Sequence, residues 1–88
     1  MSEARDRAHD RIRWHCRRGM LELDLVLNAY VERHLDGLDA NELEVFQAVL
    51  AYPDPMLFAL VMGRAEPEDD AERGIIAQLR AINANVAA

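Results

Sequence analysis

Apolar residues recur along this chain at spacings of three and four, and no segment alternates with a period of two. That property restricts the fold to packed helices, because a half-buried strand needs every second residue on its apolar side. The hairpin-like dipeptide Asp36-Gly37 lies between two helical patterns rather than between β-branched runs. The expected fold is all-α, a compact single-domain bundle of five helices.

Prolines at 53, 55 and 67 and glycines at 19, 37, 63 and 74 punctuate the pattern. A first helix is expected over about residues 5–18, with a narrow stripe of Ala8, Ile12 and Cys16 and with Trp14 to one side. Gly19 stands where a helix commonly ends in a left-handed residue, and Arg17 and Arg18 suit the negative end of the helix dipole. The second helix, about residues 21–35, has the broadest face: Leu23, Val26, Leu27, Tyr30 and Val31, with Gly37 closing it. Asp39 and Glu42 form an Asp-x-x-Glu capping box for a third helix whose stripe is Leu43, Phe46, Val49 and Leu50 and which Pro53 stops. Asp54 then reads as an N-cap and Pro55 as a first-turn proline for a short fourth helix carrying Leu57, Leu60 and Val61 and ending near Gly63. After Pro67 and an acidic run over residues 66–72, a fifth helix over about residues 70–84 carries Ile75, Ile76, Leu79 and Ile82. All 88 residues form one domain, with residues 1–4 and 85–88 expected to fray.

Composition narrows the function. Hydrophobic residues make up 51% of the chain and charged ones 30%, a globular balance. The longest apolar run, residues 56–63, is far short of the roughly 20 residues of a membrane span. The net charge of −6 is uneven: residues 1–18 hold six arginines against three acids, the remainder four arginines against thirteen acids. An acidic body opposes general nucleic-acid binding, whereas the basic first segment suits an acidic patch on a protein. A single cysteine excludes an internal disulfide and a cysteine-based zinc site, and no apolar leader follows Met1, so a cytoplasmic location is expected.

Little in the chain suits catalysis. His9, His15 and His34 lack the spacing of three or four that a helical metal pair needs, and are expected at the surface or its boundary. Cys16 lies on the apolar stripe of its helix, where a lone cysteine acts as a small hydrophobe. The glycines are too scattered for a phosphate loop, and Ser2 is the only serine.

One stretch concentrates contrasting chemistry. Arg17-Arg18-Gly19-Met20-Leu21-Glu22-Leu23-Asp24 puts two cations, a glycine and two carboxylates around one helix–helix joint. Helix dipoles alone account for the charges, since arginines favour a C-terminus and acids the next N-terminus. A rigid display of both signs beside an apolar pair also describes a docking site. Both readings remain open on the residues alone.

The string Trp14-x-x-x-Arg18-Gly19-Met20-x-Glu22-x-Asp24 resembles the signature of the succinate dehydrogenase assembly factors, called SdhE or YgfY in bacteria. The resemblance extends through the second helix to Phe46-x-x-Leu50, Pro53-Asp54 and Gly63-Arg64-Ala65-Glu66. It implies a five-helix domain that binds the flavoprotein subunit of succinate dehydrogenase, or of fumarate reductase, and promotes covalent attachment of FAD. By that resemblance Arg18, Gly19 and Glu22 contact the flavoprotein, with Trp14, Arg17, Met20 and Asp24 extending the surface. It also implies no catalytic residue and no tightly bound cofactor, because FAD belongs to the client. A free monomer without membrane insertion is expected. Met56 and Leu60 depart from the acidic residue and tryptophan that the family often has in the fourth helix. A regulatory, antitoxin-like interaction module with another protein partner is the alternative; a flavin transferase is opposed by the missing phosphate loop and the acidic net charge.

Overall fold

A computed structural model describes residues 3–87 as five α-helices and one 3-10 turn: α1 Glu3–His15, α2 Leu21–His34, the turn Leu35–Gly37, α3 Ala40–Leu50, α4 Asp54–Val61 and α5 Asp70–Ala87. The spacing of apolar residues explains the packing. Leu23, Val26, Leu27 and Tyr30 from α2 meet Phe46 and Val49 from α3, Leu57 and Leu60 from α4, and Ile76 and Leu79 from α5 in one core. The long α5 runs against α2, α3 and α4 and so forms the common wall of the bundle. Ile12 and Cys16 bring α1 onto the same core. Among the described residues, no single helix is long and apolar enough to cross a membrane.

Local chemistry sets the ends. The capping box at α3 is complete: the Asp39 carboxylate accepts the Glu42 N–H at 2.8 Å, and Glu42 accepts the Asp39 N–H at 3.0 Å. Gly63, at φ +77°, closes α4 by donating its N–H to Leu60 O at 3.2 Å, while Arg64 N–H reaches Ala59 O at 2.8 Å. The Asp69 carboxylate accepts the Ala71 N–H at 2.9 Å and starts α5. Hydrogen bonds from Tyr30 Oη to Gln78 at 3.0 Å and from Tyr52 Oη to Glu72 at 2.7 Å then fasten α2 and the α3–α4 corner to α5.

Several local expectations are corrected. α1 ends at His15, so Arg17 and Arg18 lie in the joint rather than in the last helical turn. α2 itself ends at His34, and Gly37 closes the 3-10 turn Leu35–Gly37 that follows it, without a positive φ. Asp54 is not an N-cap: Pro53 takes that place, and the Asp54 carboxylate lies 3.5 Å from Arg18 Nε instead. α5 continues to Ala87, since no glycine or proline follows Gly74 to stop it, and residues 3 and 4 are helical too. The expected fraying of residues 1, 2 and 88 lies outside the described residues. His9 is buried rather than at the surface or its boundary, because it continues the Ile12–Cys16 stripe at helical spacing; its Nδ1 lies 3.7 Å from Asp36.

Candidate functional site

The α1–α2 joint is a five-residue corner, residues 16–20, with a defined backbone. Past His15, Cys16 N–H returns to Ile12 O at 3.1 Å and Arg17 N–H to Trp14 O at 3.1 Å, tightening the end of α1. Gly19 then takes φ +79°, a conformation that L side chains rarely adopt, and extended Met20 leads into α2. A Cβ placed on Gly19 would meet nothing within 4 Å, so glycine answers a backbone requirement here and leaves the outer side of the corner bare.

Carboxylates fix the far side. Asp24 accepts the Arg18 backbone N–H at 2.7 Å, and its own N–H donates to Met20 O at 2.9 Å. The Asp24 side chain therefore closes the corner from within the first turn of α2, where a negative charge also favours the helix dipole. Glu22 stands in the same turn, exposed, with no hydrogen bond or ion pair among the described residues.

Arg18 turns inward. Its guanidinium donates to Leu50 O and, at 3.2 Å, to Tyr52 O, and its Nε lies 3.5 Å from Asp54 Oδ1. Only 17% of the side chain is exposed. The last carbonyls of α3 have no helical partner, and Arg18 supplies the donors. Arg18 is thus a strut between the α1–α2 and α3–α4 corners. Arg17, one residue earlier, is exposed and lies 5.7 Å over the Trp14 ring.

Around the bare glycine lies an apolar surface. Trp14 is 67% exposed, Leu21 69% and Leu25 47%. Leu21, Leu25 and Glu22 share one outer stripe of α2 by their spacing of three and four. Trp14 faces that helix across a groove of about 330 Å³ that Arg17, Asn28 and Val31 also line. Met20 is half-buried and packs against the core. Leu21 and Leu25 were not singled out as site residues in the sequence; their signal is that they are apolar and lie off the Leu23–Val26–Leu27–Tyr30 face. The structure brings Trp14 and Arg17 together beside α2, places Gly19, Met20 and Glu22 in the joint and the helical turn after it, and uses Arg18 and Asp24 to hold that joint.

A nucleophilic role for Cys16 has no support. The thiol is buried, and burial pushes its pKa from 9.0 up to about 11, against a smaller opposing effect of Arg18. Among the described residues, no three His, Cys, Asp or Glu side chains converge as metal ligands. The arrangement suits contact with a macromolecule: an apolar patch, an unpaired carboxylate and a backbone open to close approach.

A known family matches a span of the chain that includes this corner. The profile of the family described as Sdh5: Flavinator of succinate dehydrogenase matches residues 10–83. A Legionella pneumophila (strain Lens) protein named FAD assembly factor SdhE is 46% identical over 65 residues, covering 74% of this chain and 82% of its own length. A Coxiella burnetii protein of the same name is 40% identical over 76 residues, covering 86% of this chain and 93% of its own. A third, from Vibrio cholerae serotype O1, is 49% identical over 59 residues, or 67% of this chain and 69% of its own.

Proposed function

This chain belongs to the Sdh5 family, flavinators of succinate dehydrogenase, and from that premise we propose that it is a non-catalytic assembly factor. It binds the flavoprotein subunit of succinate dehydrogenase and promotes covalent attachment of FAD. Fumarate reductase is a second client of the same kind. The factor acts in the cytoplasm, as a monomer when free, without entering the membrane.

The observation that carries this reading is the α1–α2 corner. Gly19 offers bare backbone, Glu22 an unpaired carboxylate, and Trp14, Leu21 and Leu25 an exposed apolar surface. Large apolar side chains gathered beside a rigid turn favour burial by a partner. Arg18 and Asp24 serve the contact from behind by holding the corner in shape. Glu22 gives a charge-assisted bond to the client, and Arg17 and Met20 border the contact.

The factor itself need not hold FAD. The cofactor and the flavoprotein supply the bond-forming groups. Binding one conformation of the flavoprotein raises that conformation's population, which suffices to promote a reaction whose reactants the client already contains. In support, no glycine-rich run offers a phosphate cradle and the only cysteine is buried.

In-gel fluorescence of the denatured flavoprotein tests the proposal. Deleting this gene from its host abolishes the covalent flavin signal; the wild-type gene restores it and Gly19→Arg does not. An undiminished signal after deletion overturns the assembly role and favours a regulatory module with another partner.

A further inference from the structure

We propose that the cleft between α1 and α3 receives a carboxylate side chain of the client flavoprotein, an inference that rests on the assembly reading above. The cleft, about 470 Å³, has Arg11, His15 and Arg18 on one side and Gln47, Leu50 and Ala51 on the other. Among the described residues, no carboxylate lines it. The groove between α1 and α2, in contrast, sets Asp10 and Glu32 beside Arg13 and Arg17 and so balances its own charge. The depression between α3 and α5 has no cation at all. In a chain of net charge −6, an acid-free cationic cleft runs against the overall composition.

Arg18 is partly committed to Leu50 O and Tyr52 O, but the outer donors of the cleft are unspent. Arg11 and His15 stand one turn apart on α1, both exposed, and neither makes a hydrogen bond or ion pair among the described residues. Arg18 Nε is buried at the inner end without a hydrogen-bond partner, its nearest carboxylate oxygen being Asp54 Oδ1 at 3.5 Å. Two arginines and a histidine thus line a cleft in which the described residues offer them no acid.

The shape of the far wall selects the anion. The end of α3 presents carbonyl oxygens and the negative end of a helix dipole, with no cradle of backbone N–H groups. That favours a singly charged group over a phosphate, which is best held at a helix N-terminus. Leu50 and Ala51 give an apolar floor against which the methylene stem of a glutamate can lie. Arg11 then supplies a planar fork for the carboxylate. The cleft also adjoins the corner, since Arg18 lines the one and precedes Gly19 in the other. An acidic side chain can enter it while the same partner covers Trp14 and Leu25.

The test is a titration of the purified chain against the purified flavoprotein subunit at several salt concentrations. Arg11→Glu with His15→Glu weakens binding at least tenfold in low salt and flattens the salt dependence, without lowering the melting temperature. Arg11→Gln, which only removes charge, weakens it about threefold. If Gly19→Arg abolishes binding while both cleft variants bind within twofold of wild type, the cleft proposal falls and the corner stands. If Gly19→Arg binds as wild type does, the assembly reading itself fails. Inorganic pyrophosphate that shifts the NMR signals of Arg11 and His15 at micromolar concentration would assign the cleft to a phosphate ligand and overturn the proposal.

Discussion

At the end of α3 and again at the end of α4, an arginine from elsewhere in the chain takes up the last carbonyl oxygens of a short helix. Arg18 does this for Leu50 and Tyr52. Arg80 does it with Nε to Leu60 O at 2.8 Å and a terminal nitrogen to Ala65 O at 2.9 Å and Glu66 Oε2 at 2.8 Å. Each clamp has a glycine of positive φ nearby, Gly19 or Gly63, and a Cβ at either would meet nothing within 4 Å. The frameworks match, but the surfaces differ. The Arg80 clamp is sealed by Glu66, which also lies 3.9 Å from Arg73. Beside the Arg18 clamp, Trp14, Leu21, Leu25 and Glu22 stand uncovered. A left-handed glycine and an arginine clamp are therefore scaffolding common to both corners, and uncovered apolar neighbours are what set the proposed docking surface apart.

Removing each arginine breaks the comparison most severely. Arg18→Ala and Arg80→Ala each leave helix-end carbonyls without donors, at a cost of about 2 kcal/mol, or roughly 10 °C in melting temperature for a chain this size. Thermal denaturation followed by circular dichroism measures this. Of the two, only Arg18→Ala also abolishes flavinylation at a temperature where both variants stay folded. Equal loss of activity in both would make the corner no different from any other part of the scaffold.

The glycines sharpen the contrast at lower cost. Gly19→Ala and Gly63→Ala each destabilise by about 1 kcal/mol through strain at positive φ. Adding bulk separates them: Gly19→Arg loses flavinylation, whereas Gly63→Arg retains it.

The smallest effect concerns Tyr52, whose carbonyl accepts from Arg18 while its hydroxyl donates to Glu72. That hydrogen bond, followed by burial and neighbouring acids, raises the phenol pKa from 10.0 to about 12. The folded state favours the protonated form, so the stabilisation is whole below pH 10 and is lost as pH rises through about 12. Tyr30 and Cys16 shift in the same direction, to about 12 and about 11. Tyr52→Phe costs about 0.5 kcal/mol at neutral pH. It also makes the alkaline loss of stability shallower, as read by urea denaturation between pH 9 and 12.

Helices and core were legible because burial imposes a period. Leu23, Val26, Leu27 and Tyr30 announce their face, and Asp39 with Glu42 announces a start. The same logic extended one turn back from Ile12 would have placed His9 inside. Contacts between side chains and distant carbonyls leave no such trace. Asp54 before Pro55 fits a cap by local preference, yet a guanidinium far earlier in the chain competes for it. Position alone likewise cannot tell an arginine that faces a partner from one that faces the backbone. Arg17 and Arg18 are adjacent, and one lies over Trp14 while the other is folded into the α3–α4 corner.

The reach of Arg18 has a consequence for how the molecule assembles. It joins residues 32 and 34 positions apart, whereas Arg80 spans only 14 to 20. Closing the longer loop costs more chain entropy, and the tie forms only after α3 and α4 have met. Asp24 closes the α1–α2 corner locally, but its link to the α3–α4 corner is the longer-range of the two clamps, and local opening of the α3–α4 corner breaks that link. A half-folded chain therefore carries the residues of the proposed docking surface without the tie that fixes that corner to the rest of the fold.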